Sequence, residues 1–456
     1  MEHAIPFHDS GSAAAIPVGA TNAHGELRAH LLRLRRSRLA RSVAWSVIGS
    51  GFAQGGSFLS SLVLARVLGR ESFGQFALIQ STVAAFTCLA SLGLGLTATK
   101  YISEYRVSQP EKIGKLLGLS SMLVVLAGVC FSIALAVCAP MLAVRADHAG
   151  LTAGLRLGTI CVFFLTLTGY QLGILAGFEN FRSIARIGIV CGLASPLLSW
   201  WGAVRFGMPG AVVAQCAGAL LLWSLYEIAV RTECRERGLA VEYRGAWEQR
   251  SMLTRVSIPA AVCGMVGSLA IWGSNAILVR ACGYGELALF TAAGNLRSVV
   301  MFLPALIFKV ASPRLNHMLA AGDLLRYSRA LWGAVAVNGG LALFGASLAF
   351  LGGHRFVRLF GKEFTGSNVL LALILSSVAI EVIANNLYLA LFAGSRFWRQ
   401  LAIMSLWTAL LLAGSAFAAP RYGAAGLASA YLGAWSVAAA IYAADAYRQT
   451  RARERS

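Results

Sequence analysis

Apolar runs of about 20 residues, long enough to cross a bilayer as a helix, alternate along this chain with short polar gaps. Twelve runs can be read, at roughly 43–65, 73–98, 116–142, 152–177, 184–204, 209–231, 256–280, 286–309, 330–351, 366–392, 397–419 and 424–446. Numbered one to twelve, they predict an all-α membrane protein with about 12 transmembrane helices. The longest gap, 232–255, lies between spans six and seven. The expected organisation is therefore a basic tail at 1–41, a six-helix lobe at 42–231, a cytoplasmic linker at 232–255, a second six-helix lobe at 256–446 and a short tail at 447–456.

The two halves echo each other in order. In the corner between spans one and two, Arg66, Gly69 and Phe76 return as Arg280, Gly283 and Phe290. The first two pairs and the third share one displacement, 214 positions. Arg205-Phe206-Gly207-Met208-Pro209-Gly210 returns as Arg421-Tyr422-Gly423-Ala424-Ala425-Gly426, displaced by 216. Ala176-Gly177 and Arg182 return as Ala393-Gly394 and Arg399, displaced by 217. Six spans per half make the repeats parallel, an arrangement suited to two lobes that rock against each other.

Composition narrows the class. The chain is 57% hydrophobic and 13% charged, against about 25% charged in soluble domains, and its mean hydropathy is +0.68. A net charge of +20 suggests nucleic acid at first sight, but the basic residues occupy the gaps between apolar runs. With the N-terminus in the cytoplasm, the cytoplasmic gaps hold 28 Lys and Arg and the opposite gaps 10. This positive-inside bias predicts both termini cytoplasmic and argues against a nucleic-acid partner. The nine cysteines show no Cys-x-x-Cys spacing and read as small buried residues. The first apolar run begins only near Val43, so a flexible tail and a retained first helix are expected, not a cleaved leader.

The Leu64–Gln80 hairpin, the Arg-Phe-Gly-x-x-Gly and Arg-Tyr-Gly-x-x-Gly openings of spans six and twelve, and the twelve-span parallel repeat resemble one family. It is the lipid-linked oligosaccharide flippases of polysaccharide and O-antigen biosynthesis, within the multidrug, oligosaccharidyl-lipid and polysaccharide (MOP) exporter superfamily. The resemblance covers about residues 41–447, and its motifs are structural. It implies a MOP-type fold of two V-shaped lobes in the bacterial inner membrane, with a cavity lined mainly by spans one, two, seven and eight. It also implies translocation of an undecaprenyl-diphosphate-linked repeat unit by alternating access, for lipopolysaccharide or exopolysaccharide. The implied partners are that lipid-linked oligosaccharide, membrane lipid and a polysaccharide polymerase. One alternative is a cation-coupled multidrug exporter of the same superfamily; those usually carry a carboxylate in span one or seven, and neither span has one here. Another is a membrane enzyme of polysaccharide assembly.

Candidate chemistry is sparse. Glu381 is the one carboxylate expected in mid-span, and Arg297 the one comparably deep cation. Arg297 precedes Lys309 by 12 residues, about 18 Å of helix, too far to reach an interface. A charge at the bilayer centre costs on the order of 3 kcal/mol unless it faces protein or water. Two readings stay open: Arg297 offers its fork to the carrier diphosphate while Glu381 tunes it or carries a coupling proton, or the two form a buried ion pair between spans eight and ten. Arg66 and Arg280 either attract the departing diphosphate or anchor at headgroup level. Gln54, Asn275 and Asn295 are mid-span amides suited to sugar hydroxyls or to helix–helix hydrogen bonds. All seven histidines fall in tails or gaps, and no phosphate-binding Gly-x-x-x-x-Gly-Lys loop is present. No metal, cofactor or enzyme activity is therefore expected.

Overall fold

A computed structural model describes residues 19–109, 111–145, 150–245, 247, 257–320, 324–364, 368–392 and 397–454. Among these residues the regular structure is helical. The helices are α1 (Gly19–Ser91), α2 (Leu94–Ser108), α3 (Glu111–Arg145), α4 (Leu151–Gly177), α5 (Phe181–Glu236), α6 (Ile258–Cys282), α7 (Tyr284–Ala320), α8 (Leu324–Arg358), α9 (Asn368–Phe392) and α10 (Phe397–Glu454). Nine described helical stretches are long and apolar enough to cross a membrane. Three of them, Ala44–Ser91, Phe181–Glu236 and Trp398–Arg448, have 48, 56 and 51 residues, twice what one crossing needs. Each is broken by a glycine outside helical geometry. Counted as pairs, they bring the total to the expected twelve.

These breaks fall on the repeated glycines. Gly69 has φ 75° and ψ 175°, and Gly283, which caps α6, has φ 86° and ψ 175°. Gly207 has φ 62° and ψ −140°, and Gly423 has φ 57° and ψ −135°. Positive φ of this kind is strained for a residue with a Cβ, so one backbone solution closes the matched hairpins of both halves. Beyond the second break the packing repeats as well. A Cβ on Gly210 would lie 2.0 Å from the Gly202 carbonyl oxygen, and one on Gly426 2.1 Å from that of Ala418. The third repeated motif is not comparable, since Ala393 and Gly394 lie outside the described residues. Its two arginines are used differently: Arg182 lies over the Trp45 ring and Arg399 pairs with Asp445.

Two boundaries differ from expectation. Span two is not one continuous helix, because it turns at Leu92 and Gly93, with φ of 45° and 67°. The turn accommodates the start of α6: a Cβ on Gly93 would come within 2.6 Å of the Ser257 carbonyl oxygen, and Thr97 and Ser257 share a hydroxyl contact of 2.6 Å. Hydrophobicity runs unbroken through this stretch, so periodicity carried no sign of it. Helix α1 begins at Gly19, inside the stretch read as a flexible tail; residues 1–18 lie outside the described part.

The core is distributed unevenly. The end of the bundle carrying Gly69, Gly283 and Gly423 is here the hairpin end, and the opposite one the tail end. At the hairpin end a single cluster joins both halves, with Leu64, Phe73 and Phe76 against Leu278, Leu287, Phe360 and Phe364. Toward the tail end the clusters separate. Leu94, Ile102, Tyr170 and Ile174 belong to one in the first half, and Trp407, Leu411, Trp435 and Tyr442 to another in the second. Large apolar side chains stay exposed on outer faces, among them Leu126, Val137, Leu197 and Leu351, as a lipid-facing surface requires.

Candidate functional site: a cleft between the halves

Helix α1 in span one and α7 in span eight carry facing polar and small residues, and a cavity of about 470 Å³ opens between them. Gln54, Ser57 and Phe58 line one wall, and Asn295, Ser298 and Phe302 the other. Gln54 and Asn295, both candidates from the sequence, therefore face one space. Asn295 donates its Nδ2 to Ser61 Oγ at 2.9 Å and to the Thr291 carbonyl at 3.0 Å, tying span eight to span one. A second cavity of about 410 Å³ lies mostly within the first half, with Thr291 and Asn295 of span eight completing its wall. It shares Ala53, Ser57 and Asn295 with the cleft, so the two adjoin.

Arg297 is two residues past Asn295, about 200° around an α-helix, and is turned into the second half. Its Nη2 lies 2.6 Å from both Glu381 carboxylate oxygens, and its Nε 3.1 Å from Oε2. This is a bidentate fork between spans eight and ten, geometry that only an arginine provides. Glu381 has 9% of its side chain accessible and Arg297 40%, so the carboxylate is the sequestered partner. Pairing leaves the site close to neutral, and the bidentate geometry offsets part of the cost of burying the two charges. Nearby, the Ser274 and Tyr431 hydroxyls are 3.5 Å apart. Asn275 is buried, and its Oδ1 has no protein partner.

The hairpin end is clasped. Arg66 donates Nε to the Leu359 carbonyl at 2.5 Å. Arg70 donates Nε to the Gly285 carbonyl at 3.0 Å and Nη2 to Glu286 Oε1 at 2.9 Å. The other Glu286 oxygen accepts from the Ala424 amide at 2.8 Å, capping span twelve where the helix dipole favours an anion. Phe58 meets Phe360, and Phe73 meets Phe364, each edge-on at 6.0 Å. Arg280 is exposed and lines a separate crevice of about 220 Å³ with Leu142, Thr82 and Trp272. Arg66 and Arg280 are thus apart, the first engaged across the halves.

Nothing local in the sequence marks Arg70 and Glu286, in the corners of different halves, as a pair. Ser60 and Gln215, which line the inner cavity, had one available signal. Their counterparts at the repeat displacements of 214 and 216 are Ser274 and Tyr431, beside the ion pair.

Residues 39–319 match the family described as "Polysaccharide biosynthesis protein". The EPS I polysaccharide export inner membrane protein EpsE of Ralstonia nicotianae is 24% identical over 391 residues, covering 83% of this chain and 87% of that one. Its namesake from Ralstonia solanacearum is 23% identical over 385 residues, covering 81% and 85%. Among solved structures, a multidrug resistance MATE family transporter of the MOP superfamily superimposes in its inward-facing conformation with a TM-score of 0.75. The identity is 14%, and 90% of this chain and 99% of that one are covered. A MOP superfamily transporter from Pyrococcus furiosus gives 0.68 at 15% identity, covering 91% and 96%. Such likeness shows the fold: the chain has the twelve-helix MOP architecture.

Proposed function

The chain belongs to the polysaccharide biosynthesis protein family, and from that premise we propose that it is a flippase for an undecaprenyl-diphosphate-linked oligosaccharide in the bacterial inner membrane. The two lobes are 42–231 and 256–446, joined by the linker 232–255, and they alternate access to the cleft. The observation that carries this reading is the split core: one shared cluster at the hairpin end, separate clusters at the tail end, and a polar cleft between spans one and eight. With both termini cytoplasmic, the closed hairpin end is periplasmic. The cleft then receives a headgroup from the cytoplasmic leaflet, while the lipid tail stays in the bilayer beside it.

Gln54 and Asn295 meet the polar head in the cleft. Arg297 is the diphosphate ligand held in reserve, its fork occupied by Glu381 until a proton or the substrate phosphate displaces that carboxylate. Either event frees a bidentate donor, which reaches the diphosphate by swinging from the second half toward the cleft, and charge-assisted hydrogen bonds of this kind are the strong ones. Arg66 and Arg280, both at the hairpin end, meet the diphosphate on exit, and a polysaccharide polymerase takes the exported unit.

The test is deletion followed by complementation, scoring lipid-linked repeat units on each leaflet. Loss of the chain is expected to accumulate them on the cytoplasmic face, and Arg297→Ala to restore less than a tenth of export at normal protein level. Normal leaflet distribution in the deletion strain would sink the proposal.

A further inference from the structure

The first half has an open space at a place where, among the described residues, its twin is packed with aromatic side chains. The inner cavity of about 410 Å³ lies among spans one, two, five and six, with Leu165 of span four and Thr291 and Asn295 of span eight in its wall, and its volume is within the 300–1,000 Å³ range usual for small-molecule sites. At the matching place in the second half, aromatic side chains fill the space. Trp407 lies 5.1 Å from Trp435 and 6.3 Å from Tyr431, ring centre to ring centre. The residues 216 positions earlier are Cys191, Ala219 and Gln215, all of which line the cavity. Replacing two indoles and a phenol by a thiol, a methyl and an amide leaves the void.

The wall is built for hydrogen bonding without charge. Among the described residues that line it, Ser57, Ser60, Ser195, Gln80, Gln215 and Asn295 contribute hydroxyls and amides, and none is ionisable at neutral pH as an acid or cation. Ser60 Oγ and Gln215 Oε1 are buried with no protein partner. Their second-half counterparts, Ser274 and Tyr431, touch each other at 3.5 Å. An orphaned buried polar atom costs on the order of 1–3 kcal/mol, and a native structure keeps it only when something else satisfies it. Phe76 and Tyr226 supply flat apolar surface in the same wall, which suits the C–H face of a pyranose ring.

We infer that this cavity is a binding site for uncharged sugar residues of the translocated glycan, reached from the cleft past Ser57 and Asn295. Hydroxyl and acetamido groups pair with the serines and amides. A uronate carboxylate meets no cation there, and an unpaired buried charge is costly. The first half thus reads neutral sugar, while the second half holds the Arg297–Glu381 pair at the repeat positions of Val83 and Phe164. The inference rests on the flippase reading and adds to it a substrate class and a place.

The experiment measures binding to the purified full-length chain in nanodiscs. The probes are undecaprenyl diphosphate alone, the same lipid bearing a neutral trisaccharide, and the same lipid bearing a hexuronate-containing trisaccharide. Wild type is expected to bind the neutral glycolipid at least tenfold tighter than either other probe. Ala219→Trp, which carries the second half's residue, removes that preference. Gln215→Leu adds little volume and lowers it several-fold, which keeps the test independent of misfolding by the tryptophan. An unaltered preference in both variants overturns the site while leaving the flippase reading intact. Equal affinity of wild type for the neutral and uronate probes overturns the neutral class. Failure of wild type to bind any of the three lipids overturns the flippase reading and this site together.

Discussion

Replacing Glu286 by glutamine tests what holds the hairpin end shut. Two interactions are altered, but only one differs between closed and open states. The contact with the Ala424 amide joins spans eight and twelve of the same half, so the proposed rocking of the lobes leaves it intact. The contact with Arg70 crosses between halves and exists only when they meet. Arg70 and Glu286 have 35% and 29% of their side chains accessible, so the pair counts as a screened surface pair of about 0.5–1 kcal/mol. Losing it shifts the closed-to-open ratio by about two- to fivefold. Arg70→Ala also removes the 3.0 Å bond to the Gly285 carbonyl, and a shift of roughly ten- to thirtyfold is expected once a second hydrogen bond of about 1 kcal/mol is lost. The assay is pulsed electron–electron distance measurement between spin labels at Val204 and Leu351, both exposed on hairpin-end helices of different halves, in a cysteine-free background. A growing long-distance population is expected, in the order wild type, Glu286→Gln, Arg70→Ala, with the first step shrinking in high salt. Identical distributions in wild type and Arg70→Ala refute the clasp.

Other outcomes follow from single contacts. Exchanging the charges, Arg297→Glu with Glu381→Arg, is expected to recover thermal stability lost in either single variant without recovering export; full export by the exchanged protein contradicts a ligand role for Arg297. Gly207→Ala and Gly423→Ala share a backbone conformation, yet a Cβ meets open space at Gly207 and lies 2.5 Å from Glu286 Oε2 at Gly423. Both are expected to lower Tm by backbone strain of order 1–3 kcal/mol, Gly423→Ala by clearly more, and equal losses count against that contact. Phe364→Ala, at a side chain 1% exposed between the halves, is expected to cost about 3–5 kcal/mol as read from denaturant unfolding.

What the chain's order of residues determined alone is everything of short range. Twelve crossings were legible because each must be satisfied within about 20 residues of its own hydrogen-bonded helix. The glycine hairpins were legible because a positive φ excludes most other residues, and Gly69 with Gly283, and Gly207 with Gly423, took matching dihedrals. The turn at Leu92–Gly93 escaped because its cause, the docking of α6, is tertiary. Packing alone decided whether Arg297 met Glu381, 84 residues away, that Arg70 met Glu286, 216 residues away, and that the first half kept a cavity where the second has two tryptophans and a tyrosine. Helical periodicity says which face a residue occupies, not which helix comes to rest against it; that choice is made by the summed shape of every face at once.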